Sequence, residues 1–305
     1  MRHVHRNAKT TRHHGFTLIE LLISILIISI LIGLLLVGIR QAVNAANKTA
    51  GVQDMNSLNI AIQTFKNDWG FLPPLVKDGY PGTPGAGQDP LVKVGSGRNL
   101  HYNPNVYDLS VATDLEFMQD DSDPDYRFSV HSLAYYIMGA LGEEADYIDG
   151  PGAKAPLPNG AFNELTNKSY EPLFDPKTGQ VSQTAGDATE GRIVLQDARG
   201  NAYRYYRWEH ATPSTPGYDA NDPIANLRLP NILGDALLPG VSPATENVEL
   251  RNAGYAIVAA GRDGVFGDIP VESKDSIEEA LGKSFSLPEE AEDAARQDNI
   301  VEVGR

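Results

Sequence analysis

A long apolar stretch near the N-terminus constrains the fold of this chain more than any other feature of its sequence. From Phe16 to Ile39 the sequence reads FTLIELLISILIISILIGLLLVGI, and Glu20 is its only ionisable side chain. As a helix that rises about 1.5 Å per residue, the stretch is about 36 Å long, and a bilayer has a hydrocarbon core of about 30 Å. Length and composition therefore predict a transmembrane helix over 16–39.

The residues that precede this stretch predict its orientation. They include Arg2, Arg6, Lys9 and Arg12 and no acidic residue. Positively charged flanking segments stay on the cytoplasmic side of a membrane. We therefore expect a single-pass membrane protein with its leader on the cytoplasmic side and its C-terminal bulk extracytoplasmic.

Two simple interpretations of the stretch are a cleaved secretory signal and a plain signal anchor. The apolar core of a secretory signal usually has about 7 to 15 residues, and the stretch here is longer. Neither interpretation accounts for Glu20, because an acid in an apolar transmembrane helix costs about 2.5 to 3.5 kcal/mol on insertion scales. We therefore expect Glu20 to have a partner within the membrane.

The residues around Glu20 resemble a known processing site. The string HGFTLIELL, which begins at His14, follows a short basic leader and opens the apolar run. It resembles the prepilin peptidase site of type IV pilins and pseudopilins. The resemblance implies cleavage between Gly15 and Phe16, which removes the leader 1–15, and methylation of the new Phe16 amine. It also implies that Glu20 is the counter-charge to the N-terminal amine of a neighbouring subunit. The location that the resemblance implies is the inner (cytoplasmic) membrane, with the globular domain in the periplasm.

The chain departs from the pattern of that family at two points. His14 stands where the family usually has Lys or Arg. No proline interrupts residues 16–39, where many pilins have one that permits local melting of the helix during assembly. Gly33 and Gly38 are the residues that loosen the helix instead, because glycine is a poor helix former.

Beyond the membrane the helical pattern continues as far as Trp69. Apolar residues recur there at spacings of three and four, which predicts one buried stripe: Val52, Met55, Leu58, Ile62, Phe65 and Trp69. Gly70 suits a left-handed helix cap, and the prolines soon after it cannot continue a helix. The sequence therefore predicts one N-terminal helix over 16–69 and a globular extracytoplasmic domain over 70–305.

The globular part has strand signals in its second half. Residues 193–195 and 202–208 are rich in β-branched and aromatic side chains, and a Gly200-Asn201 turn between them predicts an antiparallel hairpin. Residues 255–260 predict a third strand. A long helix packed on a small antiparallel sheet is an α+β architecture, and it resembles that of pilins.

Other segments of the globular part predict a helix and two insertions. Apolar side chains on one helical face predict a second short helix over 128–141. Residues 77–108 and 143–190 are rich in Gly, Pro and Asp and lack periodicity. We therefore expect both to be long loop insertions on the surface.

Two further segments resemble parts of major pseudopilins. The string DARGNAYRY, which begins at Asp197, resembles their turn-and-strand segment, although Ala198, Arg199 and Ala202 depart from it. The string YAIVAAGRDG, which begins at Tyr255, resembles their final strand and the start of their calcium loop.

The resemblance implies a calcium ligand set at this loop. Ala260 matches a carbonyl donor, Asp263 matches the first acid, and Asp298 and Asn299 resemble the closing pair. Asp268 is the alternative for the closing position. A turn-forming role is the alternative for Asp263, and plain solvation is the alternative for the acid-rich C-terminal region.

Composition limits the other classes of function. The chain has 40 acidic and 25 basic residues, a formal net charge of -15 and no cysteine. It therefore lacks the clustered bases that bind nucleic acid, as well as disulfides and thiolate metal sites. The sequence also lacks the HExxH, G-x-S-x-G and phosphate-loop motifs of common enzymes, so we expect a protein that is not an enzyme.

The resemblance to pseudopilins implies a structural subunit of a type II secretion pseudopilus, which polymerises through its N-terminal helix to drive protein export. The expected partners are other copies of the chain, other pseudopilins, the prepilin peptidase, the inner-membrane assembly platform and the membrane itself. One alternative is a major or minor pilin of a type IV pilus. Another is a membrane-anchored binding domain or enzyme that uses the same N-terminus.

Overall fold

The structure of the chain is a computed structural model. The described residues are 17–77, 91–94, 101–107, 128–139, 155–162, 170–183, 193–208, 213, 220–221, 248–269 and 272–305. They belong to two compact units that divide between Asn47 and Lys48. The leader and Phe16 lie outside the described residues.

The helix α1 runs Leu18–Trp69. It ends where the sequence predicts, because Gly70 has a φ of +82° and donates its N–H to the Lys66 carbonyl at 2.8 Å. In the second unit, one side of α1 is buried, at Asp54, Met55, Leu58, Ala61, Ile62 and Phe65. The predicted stripe is therefore confirmed except at Val52, which lies at the edge of this arc and is 39% exposed.

The remaining elements follow in chain order. The strands are β1 (Leu91–Val94), β2 (His101–Pro104), β3 (Phe128–Ser129), β4 (Val181–Gln183), β5 (Ile193–Leu195), β6 (Arg204–Arg207), β7 (Tyr255–Ala259) and β8 (Ile300–Gly304). The helices are α2 (Val248–Asn252), α3 (Lys274–Leu281) and α4 (Pro288–Arg296). A π-helical turn spans Ala134–Met138.

The main sheet is antiparallel and has the strand order β3-β6-β7-β8. Tyr205 pairs with Ile257 between β6 and β7, and Ile257 pairs with Glu302 between β7 and β8. The buried face of α1 shares one apolar core with Tyr205, Tyr255 and Ile257 of this sheet. The α+β, pilin-like architecture predicted from the sequence is confirmed: a long N-terminal apolar helix packs against small antiparallel sheets.

The predicted third strand over 255–260 is confirmed, but the predicted hairpin is only partly correct. Gly200 has a φ of +92°, and Gln196 and Ala202 pair across the turn. The two arms then separate, because β5 pairs with β4 whereas β6 pairs with β3 and β7. The two arms of the turn therefore belong to different sheets.

The interpretation of two segments as long loop insertions on the surface is wrong in part. Residues 77–108 contain the paired strands β1 and β2, and residues 143–190 contain β4. Leu91, Phe162 and Phe174 from these segments are buried in the main core. Short apolar runs between turns form these strands and core contacts, although the runs are too short to show a periodic pattern in the sequence.

The predicted second helix over 128–141 is shorter in the structure. Its first residues form β3, and a π-helical turn follows, which ends at Gly139 with a φ of +82°. The Gly139 N–H donates to the Ala134 carbonyl at 2.9 Å. Leu141, the last residue of the predicted apolar face, lies outside the described residues.

Candidate functional site

A pair of carboxylates brings together the two ends of the insertion between β7 and β8. Asp263 follows β7, and its Oδ1 accepts a hydrogen bond from the Val265 N–H at 3.2 Å. Asp298 precedes β8, and its Oδ2 accepts one from the Arg262 N–H at 2.6 Å. Burial raises the pKa of Asp263 to about 6; the nearby Asp298 charge also raises it, whereas the Val265 hydrogen bond lowers it.

Two buried oxygens, one in this pair and one next to it in the sequence, have no hydrogen-bond donor among the described residues. They are Oδ1 of Asp298 and Oδ1 of Asn299. The Asn299 amide is oriented by its Nδ2, which donates to the Phe266 carbonyl at 2.9 Å. Gly261 leaves space for the Asp298 carboxylate, because a Cβ at Gly261 would lie 2.1 Å from Asp298 Oδ1. Buried oxygens without donors are rare in proteins and indicate a water or an ion.

Asp268 occupies a different position from the Asp263–Asp298 pair. Its Oδ2 accepts a hydrogen bond from Arg204 Nη1 at 2.7 Å, and both side chains are buried. The Arg204 guanidinium lies over the rings of Phe266, at 3.8 Å, and Phe128, at 4.4 Å. Burial raises the pKa of Asp268, although Arg204 lowers it. Asp268 therefore already has a cationic partner, whereas Asp298 lies beside Asp263.

Glu272 organises the same loop, although nothing in the sequence pattern singled it out. Its carboxylate accepts hydrogen bonds from the N–H groups of Phe266 at 3.0 Å, Gly267 at 2.8 Å and Asp268 at 3.2 Å. Consecutive N–H groups of this kind form a concave site for an anion. The one sequence signal for this role is the position of Glu272, an acid four residues after Asp268 of the Gly267-Asp268 pair.

The N-terminal end of α1 has a reciprocal cap. Glu20 Oε2 accepts hydrogen bonds from the Thr17 N–H at 2.9 Å and the Thr17 hydroxyl at 2.8 Å. The Glu20 N–H donates to Thr17 Oγ1 at 3.3 Å, which completes a capping box. No described residue donates a hydrogen bond to Glu20 Oε1, so this oxygen remains available. Gly15 and Phe16, the other predicted site residues at this end, lie outside the described residues.

The first unit exposes its apolar side chains. Every large hydrophobic residue of α1 from Leu18 to Ile39 is about half exposed or more. In water so much exposed apolar surface is unfavourable, whereas a helix of this length and composition is suited to span a bilayer. It is the one helix of the described residues that is long and apolar enough to do so.

A family comparison matches this end of the molecule. The prokaryotic N-terminal methylation motif matches residues 10–36. The chain carries the prepilin peptidase cleavage motif of type IV pilin-like proteins. The motif and the apolar part of α1 together indicate a membrane-anchored, pilin-like protein, with α1 as the one candidate span of the described residues. Nothing among the curated proteins or the solved structures matches the chain significantly.

The loop of this pilin-like protein fits a calcium ion in donor chemistry. Calcium prefers hard oxygen ligands, and Asp263, Asp298 and Asn299 supply side-chain oxygens, two of which have no other partner. The described residues contain no group of three or more acidic, histidine or cysteine side chains that could hold a metal. A calcium ion at this loop would need further ligands from backbone carbonyls or water. Ala260, the predicted carbonyl donor, directly follows β7.

Proposed function

We propose that this pilin-like protein is a structural subunit of a type II secretion pseudopilus, which polymerises through its N-terminal helix to drive protein export. In this proposal it is not an enzyme. Its partners are other copies of the chain, other pseudopilins, the prepilin peptidase and the assembly platform of the inner membrane. Its globular part lies on the extracytoplasmic side, and the assembled form is a filament.

The observation that carries the proposal is the carboxylate of Glu20 in an otherwise apolar helix. Thr17 donates to one of its oxygens, and the other accepts no hydrogen bond from a described residue. An ionised carboxylate in hydrocarbon is stabilised only when a cation reaches it. Cleavage after Gly15 frees the amine of Phe16 near the same depth in the membrane, so the amine of an adjacent subunit supplies that cation. The pair then fixes the register between subunits.

The first test determines the mature N-terminus. N-terminal sequencing and intact-mass measurement of the protein from native membranes should give a chain that begins at N-methylated Phe16. A mature chain that begins at Met1 or at Ala46 would contradict the proposal.

The second test changes the charge at position 20. Glu20→Gln keeps the shape of the side chain and removes the charge, so this variant should be cleaved and inserted but should not co-purify with other subunits. Ser24→Ala is the matched control, because the Ser24 hydroxyl donates to the Glu20 backbone carbonyl of the same helix, at 2.8 Å. Normal assembly of Glu20→Gln, together with turnover of a substrate by the globular part, would favour a membrane-anchored enzyme instead.

A pilin of a type IV pilus is the second candidate. Pilins usually close the C-terminal end of this fold with a disulfide, and the chain has no cysteine. The oxygen-lined loop supports the secretion assignment because it offers a different closure of the same end. Deletion of the gene separates the two functions: loss of an exported protein supports a pseudopilus, and loss of surface fibres with normal export supports a pilus.

Calcium is part of the proposal as the cofactor of the loop. Asp263, Asp298 and Asn299 would hold it together with the Ala260 carbonyl. When bound, calcium supplies the positive charge that the two neighbouring carboxylates lack. The residues of the chain do the rest: Gly261 gives the Asp298 carboxylate its space, and the Phe266 carbonyl orients the Asn299 amide.

A further inference from the structure

The side-chain amide of Asn299 is engaged at one end and open at the other. Its Nδ2 donates a hydrogen bond to the Phe266 carbonyl at 2.9 Å. Its Oδ1 is buried and accepts no hydrogen bond from a described residue. A carbonyl oxygen only accepts hydrogen bonds, so the nitrogen of the amide must face Phe266 and Oδ1 must point away from it. The Phe266 carbonyl therefore sets the direction of Oδ1.

The Phe266 carbonyl is itself held through the residue that follows it. It shares one planar peptide with the Gly267 N–H, and the two groups point in opposite directions. The Glu272 carboxylate accepts a hydrogen bond from that N–H at 2.8 Å. Because the peptide is rigid, a hydrogen bond on its N–H also fixes the direction of its carbonyl.

The helix α4 holds the same turn from the other side. Arg296 Nε donates to the Gly267 carbonyl at 2.8 Å, and the Ile269 N–H donates to Glu292 Oε1 at 3.0 Å. Both Arg296 and Glu292 belong to α4. Asn299 follows this helix, and its N–H donates to the Arg296 carbonyl at 3.3 Å. The turn and Asn299 are therefore fixed to the same end of one helix.

The residue before Asn299 offers a second open oxygen. Asp298 Oδ2 accepts a hydrogen bond from the Arg262 N–H at 2.6 Å, whereas its buried Oδ1 has no donor among the described residues. Two consecutive residues thus each present one such oxygen, one charged and one neutral. Oxygens of this kind suit a hard cation, which needs acceptors and no donor.

We propose that Glu272 is a positioning residue of the calcium loop. It holds the Phe266 peptide, the Phe266 carbonyl orients the Asn299 amide, and Asn299 Oδ1 binds the ion. The inference rests on the calcium part of the proposed function and goes beyond it, because it requires an amide at position 299. An aspartate there would place a carboxylate against the Phe266 carbonyl with no hydrogen between the two oxygens.

This proposal reverses the expectation from charge alone. Calcium affinity generally rises with the number of charged ligands, so charge alone predicts tighter binding by Asn299→Asp. We expect this variant to bind calcium about tenfold more weakly or worse, which is the usual cost of losing a hydrogen bond that orients a ligand. Gln297→Glu is the matched control, because it adds the same charge at an exposed position two residues away. Its calcium affinity should equal or exceed that of the wild type.

The measurement is a calorimetric titration of the detergent-purified full chain with calcium. Each variant is titrated at a temperature at which it is folded in chelator, so that a lower affinity does not report a loss of fold.

A second pair of variants separates the position of Glu272 from its charge. Glu272→Gln removes the charge, but a glutamine oxygen in the place of Oε2 can still accept a hydrogen bond from the Gly267 N–H. Glu272→Ala removes both the charge and the acceptor, so it should bind calcium about tenfold more weakly than Glu272→Gln. Glu279→Gln and Glu279→Ala, at an exposed acid of α3, are the control pair and should bind equally.

The outcomes distinguish this inference from the proposed function. Unchanged or tighter binding by Asn299→Asp would overturn the inference, and so would equal affinities of the two Glu272 variants. Either result leaves calcium as a cofactor of the loop, provided that the wild type binds it. A wild type that binds no calcium would overturn both, because Asn299 Oδ1 would then face water alone. If the variants at one position do not fold, those at the other position decide.

Discussion

The buried guanidinium of Arg204 joins β6, an inner strand of the main sheet, to the insertion between β7 and β8 through Asp268. Arg204 Nη1 lies 2.7 Å from Asp268 Oδ2, and the two residues are 64 positions apart in the sequence. A buried ion pair is weak evidence of net stability, because desolvation of both charges opposes their attraction. It does impose a unique arrangement, because either charge alone is strongly unfavourable in this site.

Removal of one partner should therefore cost more than removal of both. We expect Arg204→Met to lower the free energy of unfolding by about 3 to 5 kcal/mol, because it leaves the Asp268 carboxylate buried and unpaired. The double variant Arg204→Met with Asp268→Leu should recover much of this loss. Denaturant unfolding of the detergent-purified chain measures all three. A double variant as unstable as the sum of its single changes would contradict the explanation.

Calcium should stabilise the protein through the loop oxygens. Saturation to about 100 times the dissociation constant would add about 2.7 kcal/mol to the free energy of unfolding. Asp298→Asn should abolish this increase, because it removes a ligand charge. Asp275→Asn, an exposed acid of the same insertion, is the control and should keep it. Thermal unfolding with excess calcium and with chelator gives the comparison, and an unchanged midpoint in the wild type would eliminate the metal proposal.

The same loop predicts a pH dependence in chelator. The pKa of Asp263 is raised from 3.8 to about 6 in the fold, mainly by burial. A carboxyl with a raised pKa in the folded state favours folding while it is protonated, so stability should fall as pH rises from about 4 through about 6. Because Asp263 is only half buried, we expect a loss of about 1 kcal/mol.

Asp263→Asn should remove this dependence and separate it from the effect of the metal. In chelator at neutral pH the variant should be at least as stable as the wild type, and in calcium it should be less stable. Equal slopes of stability against pH for both proteins would show that another group titrates in this range.

The sequence predicted the features that depend on local pattern. The end of α1 at Trp69 followed from spacing and from Gly70, and the turn before β6 followed from Gly200. It does not predict β8, which directly follows Asp298 and Asn299 and pairs with β7. Local signals of this kind do not indicate which strands become neighbours.

The partners within the candidate site were less predictable than its location. The sequence proposed Asp263 with either Asp268 or Asp298, and spacing alone could not choose between them. Two interactions set these acids apart. Arg204 forms an ion pair with Asp268, and the Glu272 carboxylate holds the backbone from Phe266 to Asp268 through hydrogen bonds. Both are long-range or backbone interactions, which leave no periodic trace in the sequence.

Gly304 is a close-packed position in the C-terminal strand. A Cβ there would lie 2.2 Å from Cζ of Tyr255, and the Tyr255 hydroxyl is itself held by Asn59 of α1. We expect Gly304→Ala to lower the free energy of unfolding by about 1 to 3 kcal/mol through overpacking. Gly51→Ala is the control, because its Cβ would meet only the flexible Ile300 Cδ1, at 3.2 Å, and alanine favours the helix. A cost as large for Gly51→Ala would show that both positions are equally crowded.

Asp54 connects α1 to the segment 170–183 in the second unit, and its two partners should contribute unequally. Its carboxylate accepts hydrogen bonds from Lys177 Nζ at 2.7 Å and from Gln180 Nε2 at 2.6 Å. The Lys177 side chain is 69% exposed, whereas that of Asp54 is 6% exposed. An exposed lysine contributes at most about 1 kcal/mol, because water and salt screen its charge.

Lys177→Ala should therefore lower the free energy of unfolding by less than about 1 kcal/mol. Gln180→Ala should cost about 1.5 to 3 kcal/mol, because it removes a hydrogen bond to a buried charge. Added salt should weaken the effect of the Lys177 change and leave that of the Gln180 change intact. A larger loss of stability for Lys177→Ala than for Gln180→Ala would mean that the lysine, and not the amide, holds the segment 170–183 against α1. The salt series distinguishes the two cases because only the exposed interaction is screened.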